Sequence, residues 1–208
     1  MKKLFSLSLI ICFVISCSNN ENKQSATVAG ARAGTANVDS IKSTFFPVTS
    51  FLKGQMILLD STPVTILQIT IVDKKTDSSW IKKEKLKPLL QPFIADIIDK
   101  ENLTAFFKES KFNDQSTDAI TFTYEPKIPL PDSIALRHWD IYIQPETGTV
   151  KRVYIIKQVK ENNGVFTQQL TWRSNKWAKI VTIANKADGS SIIQNETKWV
   201  WDFNEERQ

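Results

Sequence analysis

The chain has 208 residues, with 27 basic against 22 acidic side chains, two cysteines and one histidine. A net charge of +5 without a sustained basic track argues against nucleic acid as a partner. One histidine excludes a multi-histidine metal site within one chain, and no Walker, Rossmann, H-E-x-x-H or G-x-S-x-G pattern is present.

The first seventeen residues read MKKLFSLSLIICFVISC. Lys2 and Lys3 form a basic start and residues 4–16 are almost wholly apolar, the order of an export signal too short to span a bilayer comfortably. Val14-Ile15-Ser16 ahead of Cys17 resembles a bacterial lipobox, although Val14 stands where the best-known versions carry Leu. Two readings of this end compete. An ordinary signal peptide cut after Ser16 leaves Cys17 a spectator, whereas in a lipoprotein signal peptide (1–16) Cys17 carries a thioether-linked diacylglycerol. The position of the thiol, at the end of the apolar run, favours lipidation and makes the membrane a partner through the N-terminal lipid. Ser18-Asn19 lacks the aspartate that retains many lipoproteins at the inner membrane, so an outer-membrane, periplasm-facing location is expected, ahead of surface display.

With the signal removed, Cys17 is the last cysteine, no intramolecular disulfide forms, and the balance falls to 25 basic against 22 acidic residues. Residues 17–40 are small and polar, a tether with an r.m.s. span of about 25 Å. Residues 41–208 are enough for one globular domain with a single core.

Phe51, Leu52, Met56, Ile57 and Leu59 have helical spacing after Pro47, so a helix is predicted over 44–60. Val64 to Val72 is a strand, with Leu67, Ile69 and Ile71 as its expected core face. Asp73 to Ser79 is polar and reads as a turn; its two aspartates bracket two lysines and offer too few oxygens for calcium. Leu86, Leu89, Leu90, Phe93, Ile94, Ile97 and Ile98 form a helical stripe interrupted by Pro88 and Pro92. Asp99 or Asn102 would cap a further turn carrying Leu103, Phe106 and Phe107, which extends the helical layer over 84–108.

From residue 118 the period changes to two. Strands are predicted at 119–124, 137–143, 150–159, 165–173, 177–184 and 192–203, with turns at Pro145 to Gly148, Asn162-Asn163-Gly164, Ser174-Asn175 and Asp188-Gly189. The expected class is α+β: N-terminal helices packed on a six- or seven-stranded, mostly antiparallel meander. Alternation places Trp139, Ile141 and Ile143 on one face and His138, Asp140, Tyr142 and Gln144 on the other.

His138 sits in Arg137-His138-Trp139-Asp140, and Asp140 or Glu125 could serve it as an acid–base partner. The competing reading of all three is a sheet surface on which the carboxylates face Arg137 or Lys151. Five of six tryptophans fall between 139 and 201, interleaved with Arg152, Arg173, Lys176 and Lys179. Trp172, Trp177, Trp199 and Trp201 either line a ligand surface for a glycan, a peptide or another envelope protein, or fill the core beneath the helices. No cofactor or metal is implied.

Further stretches carry a resemblance: Phe46-Pro47-Val48-Thr49 with Lys53-Gly54-Gln55, Lys75-Thr76-Asp77-Ser78-Ser79-Trp80, Trp139-Asp140-Ile141-Tyr142-Ile143 and Gln168-Gln169-Leu170-Thr171-Trp172. Together with the end around Cys17, the chain resembles a Bacteroidetes-type outer-membrane lipoprotein family with no assigned activity. That resemblance covers 41–203 and implies no catalytic residues. The expectation is a non-enzymatic ligand-binding or envelope-assembly role; the alternatives are an acid–base hydrolase acting on envelope material and a purely structural lipoprotein.

Overall fold

A computed structural model describes residues 45–99, 103–114, 118–161, 164–186 and 188–203. The signal segment, Cys17, the tether, Asn102 and the Asn162-Asn163 turn lie outside the described residues.

Pro47 leads into α1 (Val48–Ser61), where its missing N–H costs nothing. Val48, Leu52 and Leu59 put one face of α1 into the core. The Lys83 ammonium donates to the carbonyls of Asp60 (2.6 Å) and Thr62 (2.9 Å), setting a cation at the negative end of the helix. The stripe that follows is not one helix. α2 (Lys83–Leu89) ends in its proline turn, and Gln91–Phe93 is a single 3-10 turn. Pro88 and Pro92 each remove an N–H that a continuing helix would need. Leu86, Leu90, Phe93 and Ile98 are nonetheless buried, while Leu89 and Ile97 point outward.

Among the described residues nine strands form one antiparallel sheet. They are β1 (Ile66–Val72), β2 (Lys75–Ile81), β3 (Phe107–Asp114), β4 (Ala119–Pro126), β5 (Leu136–Ile143), β6 (Val150–Glu161), β7 (Gly164–Arg173), β8 (Trp177–Asn185) and β9 (Ser191–Val200). Their order across the sheet is β2-β1-β9-β8-β7-β6-β5-β4-β3. The α+β class with an antiparallel sheet stands, and the expected six or seven strands are corrected to nine.

Both additional strands are sheet edges. β2 occupies what reads as a polar turn, and only Asp73 and Lys74 make the reversal, both at positive φ (49° and 65°). β3 takes Phe107 out of the expected helical layer, and residues 103–106 are a turn. Edge strands carry charge where inner strands carry apolar alternation, which is why period-two reading misses them.

A second correction concerns β1. Ile66, not Leu67, is fully buried, and Gln68 on the same face accepts a hydrogen bond from the Trp199 indole at 3.0 Å. Leu67, Ile69 and Ile71 therefore lie on the opposite face, each half-buried.

The core lies between the sheet and the helical segments. Tyr124 stacks on Trp139 (4.6 Å, 6°), Phe45 and Phe107 pack around that pair, and Phe93 meets Trp172 edge-on at 5.5 Å. Lys157 points into this face from β6 with 5% of its side chain exposed. Its charge is met by Asp96 at 2.5 Å and by the Pro92 carbonyl. Thr49 of α1 donates to the Asp96 carbonyl (2.8 Å) and accepts from the Ile98 N–H (2.7 Å). One buried lysine thus ties β6, the 92–98 connection and the start of α1 together.

Candidate functional site

The two faces of the sheet differ in kind. One packs under the helices; among the described residues no helix covers the other. On this second face cross-strand register aligns Phe112, Thr121, Tyr142, Arg152, Arg173, Trp177, Val200, Leu67 and Trp80 in one row across all nine strands. The row ends in exposed aromatics, Phe112 and Trp80, each 65% exposed. Trp80 lies 5.8 Å from Phe203.

The centre of the face is a polar cluster contributed by β4, β5 and β6. The carboxylate of Asp140 contacts His138 Nε2 at 2.9 Å, accepts the Thr123 hydroxyl at 2.7 Å and accepts the Tyr142 phenol at 3.4 Å. Register makes this geometry: Thr123 and Tyr154 lie directly across from Asp140 on either side. His138 and Tyr142 flank it at two-residue spacing on its own strand, so all share one face. Two register shifts in the β5–β6 ladder, at Leu136/His138 and Tyr142/Ile143, bracket the cluster. Bulges of this kind re-aim side chains.

The electrostatics follow from these contacts. The hydrogen bond to Asp140 raises the His138 pKa, against the opposing effect of burial. Burial pushes the Asp140 carboxyl upward, but the bonds from His138 and Thr123, and the nearby imidazole charge, outweigh it and hold the group below the usual carboxylate value. Burial raises both Tyr142 and Tyr154. The Arg152 guanidinium carbon lies over the Tyr142 ring, 3.7 Å from its centroid. Its Nε is buried and has no hydrogen-bond partner. In the same row Trp177 carries the Lys198 ammonium over its ring at 4.7 Å.

The structure therefore brings His138 and Asp140 into contact. Glu125 adds a further upward electrostatic pull on His138 while pairing with Lys108 at 3.6 Å. Thr123 gives its hydroxyl hydrogen to Asp140, so the cluster as built has no hydroxyl activated by the imidazole. Among the described residues no three of His, Cys, Asp and Glu gather as metal ligands.

The tryptophans divide. Trp172, Trp199 and Trp201 are buried on the helix-covered side, Trp172 and Trp201 in contact at 5.3 Å. Trp177 lies on the other face. The four do not share one exposed surface. A separate apolar groove between α1 and α2, lined by Met56, Leu59, Leu86, Leu90 and Ile94, has Lys83 at its rim, already engaged by the end of α1.

No family model, curated protein or solved structure matches the chain. The site must be read from its own chemistry.

Sequence reading finds His138, Asp140 and their shared face, because alternation along one strand is visible. It does not find Thr123, Tyr154 or the Arg152–Arg173 juxtaposition. Those require cross-strand register, which one sequence does not give, and for Tyr154 the β5–β6 irregularities also shift it.

Proposed function

We propose that the chain is a lipid-anchored envelope protein, held at the outer membrane through Cys17, whose domain binds a ligand without transforming it. The helix-free sheet face is the ligand surface in this reading. One observation carries it: Thr123, His138, Asp140, Tyr142, Arg152 and Tyr154 are gathered and fixed by mutual contacts on the one face that the core does not use. Polar and aromatic groups held in place before a ligand arrives lose little entropy on binding. The ligand is a glycan, a peptide or a segment of another envelope protein.

Hydrogen–deuterium exchange of the full chain in neutral detergent, with and without fractionated envelope glycans and peptides, tests the reading. Slowed exchange confined to β5–β8 supports it. Protection confined to α1 and α2 would move the site to the apolar groove, and no protection with any fraction would leave a purely structural lipoprotein. For the anchor, Cys17→Ser should abolish incorporation of labelled acyl chains and release the protein from membranes; unchanged labelling rules the anchor out.

The His138–Asp140 contact favours a second reading, an acid–base hydrolase acting on envelope material. A raised imidazole pKa suits a proton donor more than a base near neutrality. Turnover of an envelope substrate that disappears in His138→Gln would establish it.

A further inference from the structure

The two edges of the sheet are protected differently. β3 carries Lys108, Glu109 and Lys111 along its middle, and such charges keep a sheet edge from pairing. β2 has Lys75 and Asp77 beside its turn, and Ser78, Ser79, Trp80 and Ile81 after them carry no charge. β2 contains no proline and no positive-φ residue, and its ladder with β1 has no register shift. All of it except Ile81 is exposed. The reversal at Asp73 and Lys74, both at positive φ, closes on a hydrogen-bonded pair, Val72 and Lys75. Bonded and non-bonded pairs alternate along an antiparallel ladder, so Lys75, Asp77, Ser79 and Ile81 turn their backbone N–H and C=O groups towards β1. Those of Thr76, Ser78 and Trp80 point out from the edge. Among the described residues no strand or loop receives them.

We propose that β2 pairs with β2 of a second copy of this chain, antiparallel about a two-fold axis at Ser78. Only residues with outward groups can bond across the edge, and this register uses all of them. Ser78 meets the partner's Ser78 and Trp80 meets the partner's Thr76, each pair exchanging both N–H···O bonds. An aromatic ring across from a β-branched residue stabilises a sheet, and no like charges stand directly opposite; the Asp77 carboxylates lie on a diagonal. Other registers serve the edge less well. Sliding by one outward group in one direction sets Asp77 against the partner's Asp77, and in the other direction leaves Thr76 facing beyond the end of the partner strand. The pairing is isologous, so it consumes this edge and closes at a dimer. It spans one short strand from each copy, which makes it weak and reversible. It does not depend on what the helix-free face binds.

The test is disulfide trapping of the full chain in neutral detergent held in excess over protein, with Cys12→Ser and Cys17→Ser so that an introduced thiol is the only one. Opposed residues of a hydrogen-bonded pair have Cα atoms about 5.5 Å apart, within reach of a disulfide. Ser78→Cys should cross-link to itself under mild oxidation. Thr76→Cys and Trp80→Cys should not cross-link alone, since each lies opposite the other, and should do so when the two variants are mixed. Sedimentation velocity of the unmodified chain should show a dimer that grows with concentration. Ser78→Pro removes an outward N–H and leaves the bonds to β1 in place, so it should fold with an unchanged unfolding temperature and lose the dimer. Should the proline lower that temperature, Ser78→Lys takes its place, because it sets like charges face to face on the two-fold axis and should also abolish the dimer. No cross-link from Ser78→Cys, equal cross-linking by Thr76→Cys alone, or a dimer that persists in the folded Ser78 variant would overturn the proposal.

Discussion

His138 is the single histidine, so it is the side chain whose ordinary pKa lies nearest neutrality. Its folded-state pKa is raised above the ordinary 6.5 by the bond to Asp140. The stability it contributes is therefore fully present below about pH 6.5 and is lost as pH rises through the folded value. Asp140 is lowered from 3.8, so its contribution is present above that value and is lost as pH falls through its folded one. Between these limits both groups contribute in full. Wild-type protein should lose thermal stability as pH rises above about 6.5, and His138→Gln should show little slope there. An equal slope in the variant would mean that the pair is not coupled to folding. At this scale the sequence was legible where chemistry follows from alternation within one strand, as for His138, Asp140 and Tyr142. Thr123 and Arg152 reach the cluster only through pairing between strands.

The helix at α1 and the inner strands are read from strong apolar periodicity, and the two strands missed lack it; the helix expected over 84–108 has the periodicity but is broken by its prolines. Inner strands are read from the faces they bury; β2 is exposed along nearly all its length and β3 carries Lys108, Glu109 and Lys111. The β1–β2 turn also lacks the usual signal. Two consecutive positive φ values suit Asn-Gly or Asp-Gly, and this chain places Lys74 where glycine belongs. Lys74→Gly should relieve that strain and stabilise the protein by about 0.5–1 kcal/mol in urea unfolding. A neutral or destabilising result would show that the turn stores none. The broken stripe after α2 leads to a different expectation. Phe93 sits in a single 3-10 turn, yet it is 1% exposed and packs on Trp172. Phe93→Ala should cost about 3–5 kcal/mol, as a buried aromatic does whatever its local backbone. A loss below roughly 0.5 kcal/mol would mean that the site collapses around the smaller residue or that the segment does not hold the core.

Strand order is the property of the whole molecule that the sequence conceals most completely. β3 to β9 are consecutive neighbours, but β1 pairs with β9, so the amino-terminal hairpin closes onto the last strand of the chain. Local turn signals say nothing about such a pairing, and closing so long a loop carries an entropic cost that the contacts at the seam must offset. The inverted face of β1 is explained here. The buried indoles of Trp139 and Trp172 have no hydrogen-bond partner, whereas Trp199 of β9 donates to Gln68 of β1 across 131 residues. A glutamine that looks out of place on a core face is thus the acceptor at the seam, and the apolar residues beside it turn outward. Gln68→Leu should cost about 1–3 kcal/mol by leaving the Trp199 N–H buried and unsatisfied. Trp199→Phe removes the donor and some packing volume, and should also destabilise. In the double variant neither polar group remains, so its loss should fall short of the sum of the two single losses by about 0.5–1.5 kcal/mol. Strictly additive losses in urea unfolding would show that this bond does not join the two ends of the chain.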